Sequence, residues 1–185
     1  LGCGHGGWIY FLKKHLYTNV AGVDISAEQV DFAHELGISE VELGDLDSFI
    51  DSESNVDVVL MMDILEHLTI AESDEILRRI AGRLVPGGKL VIHVPNGEGL
   101  FGQRIRYGDL THETCFTPKS MRQLLTPLGF RNIRCFEDRP IVHGFKSAVR
   151  RVLWDLGTLY PRLLLTAETG QRRFILSQNM TVIAS

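Results

Sequence analysis

The chain has 185 residues, 44% of them hydrophobic and 23% charged, a size and balance that suit one globular domain around a single core. Its net charge of -4 argues against a broadly basic nucleic-acid surface, and no apolar run reaches the roughly 18 residues of a membrane span. Cys3, Cys115 and Cys135 form no CxxC pair and leave an odd number, which argues against a disulfide framework or zinc site and predicts a reduced, cytoplasmic chain.

The opening run Leu1-Gly2-Cys3-Gly4-His5-Gly6-Gly7 is a glycine-rich turn of the kind that joins a strand to a helix. No hydrophobic strand precedes it, so the sequence reads as N-terminally truncated, with the first strand of its sheet missing from this chain. Trp8 to Leu16 has helical spacing. Val20 to Asp24 reads as a buried strand ending in an acid. Ser26, with Gln29 three residues on, predicts a capped helix through Glu35 that Gly37 stops. Val41 and Leu43 mark a short strand before Gly44-Asp45.

Val56 to Met62 has little alternation, which predicts a central strand covered on both faces. A helix carrying Ile76, Leu77, Ile80 and Leu84 follows, ended by Pro86-Gly87-Gly88, and Lys89 to Val94 is the next strand. Thr117-Pro118 starts a helix with proline in its first turn, ending near Gly129. Phe130 to Phe136 and Asn179 to Ala184 complete the strands. The alternation predicts an α/β sheet.

Residues 141–170 break this rhythm. Apolar positions from Phe145 to Tyr160 fall near helical spacing until Pro161 interrupts them. By charge, residues 139–173 sum to about +5 and the rest to about -9. The segment reads as a helical cap inserted into a single domain spanning 1–185. Its roles stay open among shaping an acceptor pocket, touching a membrane surface, forming a dimer contact and plain packing.

Gly2, Gly4 and Gly6, or Gly2, Gly4 and Gly7, match nucleotide-loop patterns that are weak in isolation. Asp24, about twenty residues on at a strand end, is placed to accept ribose hydroxyls. Asp45 is placed to read an adenine edge, an ordinary Asp turn being the plain alternative.

With these residues in order, the chain resembles the class I S-adenosylmethionine-dependent methyltransferases, in their bacterial small-molecule branch. The resemblance rests on residues 1–6, Gly22 to Ser26, Gly44 to Leu46, Val58 to Leu68 and Leu84 to Leu90. It implies S-adenosyl-L-methionine as cofactor and an α/β, doubly wound Rossmann-like sheet of the class I methyltransferase type with an antiparallel last strand. Gly2, Cys3, Gly4 and Gly6 would form the cofactor loop, Asp24 would hold the ribose, and Ile25 would lie on adenine. Asp45 and Leu46 would read the adenine edge, and Met62 and Asp63 would border the methionine and the transferred methyl. An NAD-dependent oxidoreductase explains only the first two motifs, and a non-catalytic cofactor-binding relative is the other alternative.

His112, in the polar loop 108–113, is the general-base candidate, with Asp63 beside the reacting methyl; a structural histidine bonding a carbonyl is the competing reading. Asp63, Glu66 and His67 at i, i+3 and i+4 share one face of a helical turn. Some relatives bind magnesium through a similar Glu-x-x-Glu-His set. Asp63 departs from that set, and the expectation is that Glu66 and His67 bond the loop and hold no metal. His93, inside a strand, reads as a packed core residue. The expected acceptor is a small molecule offering an oxygen or nitrogen, favouring a sugar or polysaccharide precursor by resemblance of the Gly-Asp-Leu-Thr-His loop.

Overall fold

In chain order, the computed structural model contains α1 (Gly7–Lys14), β1 (Gly22–Asp24), α2 (Ala27–Glu35), β2 (Val41–Leu43), α3 (Leu46–Ser52), β3 (Val56–Met62) and α4 (Ile70–Arg83). There follow β4 (Leu84–Pro95), α5 (Gly102–Arg106), α6 (Pro118–Leu125), β5 (Arg134–Glu137), α7 (Phe145–Thr169) and β6 (Asn179–Ala184). It describes residues 1–52 and 55–185. Local signals start these helices where the sequence places them. Ser26 accepts the Gln29 N–H at the head of α2, and Thr69 and Glu72 form a reciprocal box on α4. Thr117 caps α6, with Pro118 at its first turn.

The strands form a parallel pair, β1 with β2, and a four-stranded sheet in the order β3-β4-β6-β5. In the latter β3 and β4 are parallel, while β6 runs antiparallel to both neighbours, as the resemblance implies. Alternate residues of β4 and β6 enter a core shared with α4 and α6, where Leu77, Leu90, Ile92, Met121, Met180 and Val182 are fully buried.

The first residues of the chain lie between the two sheets. The Leu1 amino group donates to Leu60 O of β3 at 2.8 Å, and the Cys3 N–H donates to Val23 O of β1 at 3.0 Å. Residues 1–3 thus touch one sheet on each side, as a strand between them would. The expectation that β3 is covered on both faces fails here: β3 ends its sheet, and Val58 is 51% exposed.

Three further expectations are corrected. Pro86-Gly87-Gly88 is not a turn between elements but part of β4. Val56 pairs with Leu84 and Val58 with Lys89, so the extra residues are taken up as a bulge, with Gly87 at φ 83°. Pro161 does not end its helix. Gly157 stands four residues before it with open space around it, so the carbonyl that the proline ring would crowd can tilt aside. The strand expected at Phe130 to Phe136 starts only at Arg134, because Phe130 is spent in the core.

Candidate active site

The glycine turn is built by left-handed backbone at Gly2, Gly4 and Gly6, with φ of 57°, 53° and 79°. A Cβ on Gly2 would stand 2.4 Å from Ile64 Cδ1, so the turn lies directly against the residue after Asp63. Asp24, at the end of β1, braces the turn: Oδ2 accepts the Gly4 N–H at 2.7 Å and Oδ1 accepts the Ser26 N–H at 3.0 Å. Burial pushes the Cys3 thiol up, so Cys3 serves the turn through its backbone.

Beside Asp24, the Gly44 N–H donates to Asp24 O at 3.1 Å, which brings the end of β2 to the same edge. Asp45 then caps α3, a helix the sequence reading missed. Its carboxylate accepts the Ser48 N–H at 2.7 Å and the Ser48 hydroxyl at 3.0 Å, and these bonds hold it below the usual carboxylate range. Ile25 is 81% exposed beside this edge, while Leu46 and Met62 are half-buried. The glycine cradle, the acid at the end of β1 and the exposed apolar Ile25 fit an adenosine-bearing cofactor.

At the end of β3, Asp63 adopts φ 55°, a conformation uncommon for a residue with a side chain, and its N–H donates to His93 O at 3.0 Å. It does not share a face with Glu66 and His67. Its Oδ1 lies 2.6 Å from His93 Nδ1, and His93 Nε2 lies 2.6 Å from Asp138 Oδ2. Held by Asp138 and Asp63, the His93 imidazole is pushed up to about 10 and is an imidazolium at neutral pH. Burial drives the Asp138 carboxyl upward, but the His93 contact outweighs it and leaves it below its ordinary value. The Thr181 hydroxyl donates to the other Asp138 oxygen at 3.1 Å. His93 is therefore not the packed core residue the sequence suggested. Asp138 has no signal in spacing, because only the order of β4, β6 and β5 brings it to His93.

A second cluster sits one turn further on. Glu66 is 1% exposed, and among the described residues its Oε2 has no hydrogen-bond partner. Burial pushes this carboxyl up to about 7. One donor atom each from Glu66, His67 and His112 lie within 4.8 Å of one another. His67 Nδ1 is 3.0 Å from the Thr111 hydroxyl, which itself donates to Asp109 at 2.7 Å. His112 Nδ1 is 3.1 Å from Ile105 O. Each Nδ1 faces a carbonyl oxygen, Thr111 O for His67 and Ile105 O for His112, so in the neutral ring Nδ1 donates and Nε2 is the nitrogen left to accept. The Glu113 and Thr114 N–H groups donate to Glu66 O at 2.8 and 3.0 Å, which pins the loop bearing His112 to this turn. His67 bonds the loop as expected, and His112 makes the carbonyl bond of the structural reading while leaving Nε2 available. A buried carboxyl oxygen without a partner among the described residues, beside two imidazoles, also has the chemistry of a divalent-cation donor set.

Comparison with known proteins gives the family of the chain. A family model described as a methyltransferase domain matches residues 1–134. Phosphoethanolamine N-methyltransferase 3 of Arabidopsis thaliana is 30% identical over 97 residues, 50% of this chain and 19% of that protein. The chain thus spans about a fifth of the length of the curated relatives it matches. Among solved structures, a SAM-dependent methyltransferase from Archaeoglobus fulgidus superposes with TM-score 0.73 at 23% identity, over 99% of this chain and 82% of that one. Human N-acetylserotonin methyltransferase in complex with SAM gives TM-score 0.62 at 17% identity, over 100% of this chain and 45% of that one. The chain belongs to the methyltransferase domain family, in the class I fold whose methyl donor is S-adenosylmethionine.

Proposed function

We propose that this chain transfers a methyl group from S-adenosylmethionine to an oxygen, or less favourably a nitrogen, of a small molecule. The observation that carries the reading is the meeting of two features at one edge. The glycine turn braced by Asp24 packs against Ile64, and Asp63, Glu66, His67 and His112 follow at once. When bound, the cofactor supplies a methyl already activated by its positively charged sulfonium. What remains for the chain is alignment, exclusion of water and removal of one proton. His112 takes that proton from the acceptor hydroxyl at Nε2, because Nδ1–H is committed to Ile105 O. Asp63 borders the reacting end, held in its left-handed conformation by His93. The acceptor class favoured is a sugar or polysaccharide precursor, supported by the resemblance of the loop at 108–112.

The test is transfer of labelled methyl from S-adenosylmethionine to a panel of sugar and small-molecule acceptors, with S-adenosylhomocysteine as co-product. His112→Ala should lower turnover by about 10²-fold or more. Unchanged turnover in that variant would remove His112 from the base role.

The cluster of Glu66, His67 and His112 supports a second reading, in which these three residues hold a divalent transition ion. The two roles compete for the same His112 nitrogen. Activity that survives a chelator supports His112 as base. Loss of activity with chelator, together with calorimetric Mn²⁺ or Zn²⁺ binding that Glu66→Gln removes, supports the metal.

A further inference from the structure

Helix α7 is amphipathic the wrong way round for a helix that packs on a core. Phe145, Val149, Leu153, Leu156, Tyr160 and Leu163 follow one another at intervals of three or four residues and lie on a single arc of roughly 80°. All six are exposed, from 42% at Val149 to 85% at Phe145. The opposite side of the helix carries its buried positions, Ser147 and Thr158, and Arg162, which reaches Glu137 at 2.6 Å and Phe174 O at 2.7 Å. Arg162 thus ties the polar side of α7 to the domain, and the apolar stripe on the other side is left exposed. An apolar stripe this long on a monomer marks a contact surface.

Charge decides what covers it. Among the described residues, Lys146 and Arg150, beside the stripe, have no acidic partner, and Arg172 and Arg173 follow the helix likewise unpaired. Residues 139–173 hold seven Lys/Arg against two acids in a chain of net charge -4. A second copy docking stripe to stripe would set this cationic flank against itself. An anionic lipid surface complements both the stripe and its flank. The helix is not long and apolar enough to cross a membrane, which leaves it lying in the interface plane.

We propose that α7 is a peripheral membrane-contact helix that seats its apolar stripe in an anionic lipid surface, with Lys146 and Arg150 against the headgroups. Only residues 139–144 separate α7 from Asp138, so docking holds the Asp63–His93–Asp138 edge within about 25 Å of the surface.

The experiment is co-sedimentation of the chain with vesicles of pure phosphatidylcholine and of phosphatidylcholine mixed with phosphatidylglycerol, over a series of salt concentrations. Expected are binding to the mixed vesicles, weakening with salt, and a loss of about tenfold or more in Leu153→Glu/Leu156→Glu and in Lys146→Glu/Arg150→Glu. Both variant pairs alter exposed side chains, and circular dichroism with a thermal melt checks that they remain folded. A folded chain that ignores anionic vesicles overturns the proposal. So does a concentration-dependent dimer in sedimentation that Leu153→Glu/Leu156→Glu dissociates, which would assign the stripe to a second copy.

Discussion

His93 Nδ1 lies 2.6 Å from Asp63 Oδ1, across the ends of the parallel strands β4 and β3, while the Asp63 N–H donates back to His93 O at 3.0 Å. This two-way link fixes a residue at φ 55° that has little other reason to stay there. His93→Gln keeps a hydrogen-bond donor but loses the charge, and His93→Phe loses both. Kinetics should show turnover falling in Phe more than in Gln, with a smaller change in the KM for S-adenosylmethionine. Equal turnover in all three would remove His93 from the positioning role.

The same pair carries a pH signature. The folded His93 is raised to about 10 by Asp138 and Asp63, so its stabilisation is fully present below the unfolded histidine value near 6.5. It is lost as pH rises from about 6.5 to about 10. With its two carboxylates partly exposed, a contribution on the order of 2 kcal/mol is expected. Urea denaturation across that range should show wild type losing stability while His93→Phe stays flatter. A parallel decline in both would contradict this.

Asp45 combines two roles that substitution can separate. As the cap of α3 it binds Ser48 N–H and hydroxyl, and Asp45→Ala should lower the melting temperature without any cofactor present. Asp45→Ser keeps a cap but loses the reach and charge proposed to read adenine. Its melting temperature should stay near wild type while S-adenosylmethionine binding weakens. Weakening in neither variant would leave Asp45 as a cap alone.

What the sequence made legible was local. Gly2, Gly4 and Asp24 fall within one turn-helix-strand unit, and Gly4 N–H does meet Asp24. The Ser26 and Thr117 caps act on residues three positions away, so spacing alone reveals them, whereas the equally local Thr69–Glu72 box was overlooked. His93 was misread because strand residues look alike until their neighbours are known. Its partner Asp138 is 45 residues away, beyond an antiparallel pairing that no pattern encodes. α3 was missed because Asp45, read as a ligand contact, is also the helix cap. Pro161 was read as a breaker because the reading weighed the proline without Gly157.

The central claim is that the turn and Asp24 form an S-adenosylmethionine site. Equilibrium dialysis with methyl-labelled S-adenosylmethionine tests it most directly, because it registers weak binding. Saturable binding is predicted, reduced about tenfold, or about 1.4 kcal/mol, by Asp24→Asn and not displaced by NADH. Binding that NADH displaces, or that Asp24→Asn leaves unchanged, would contradict it.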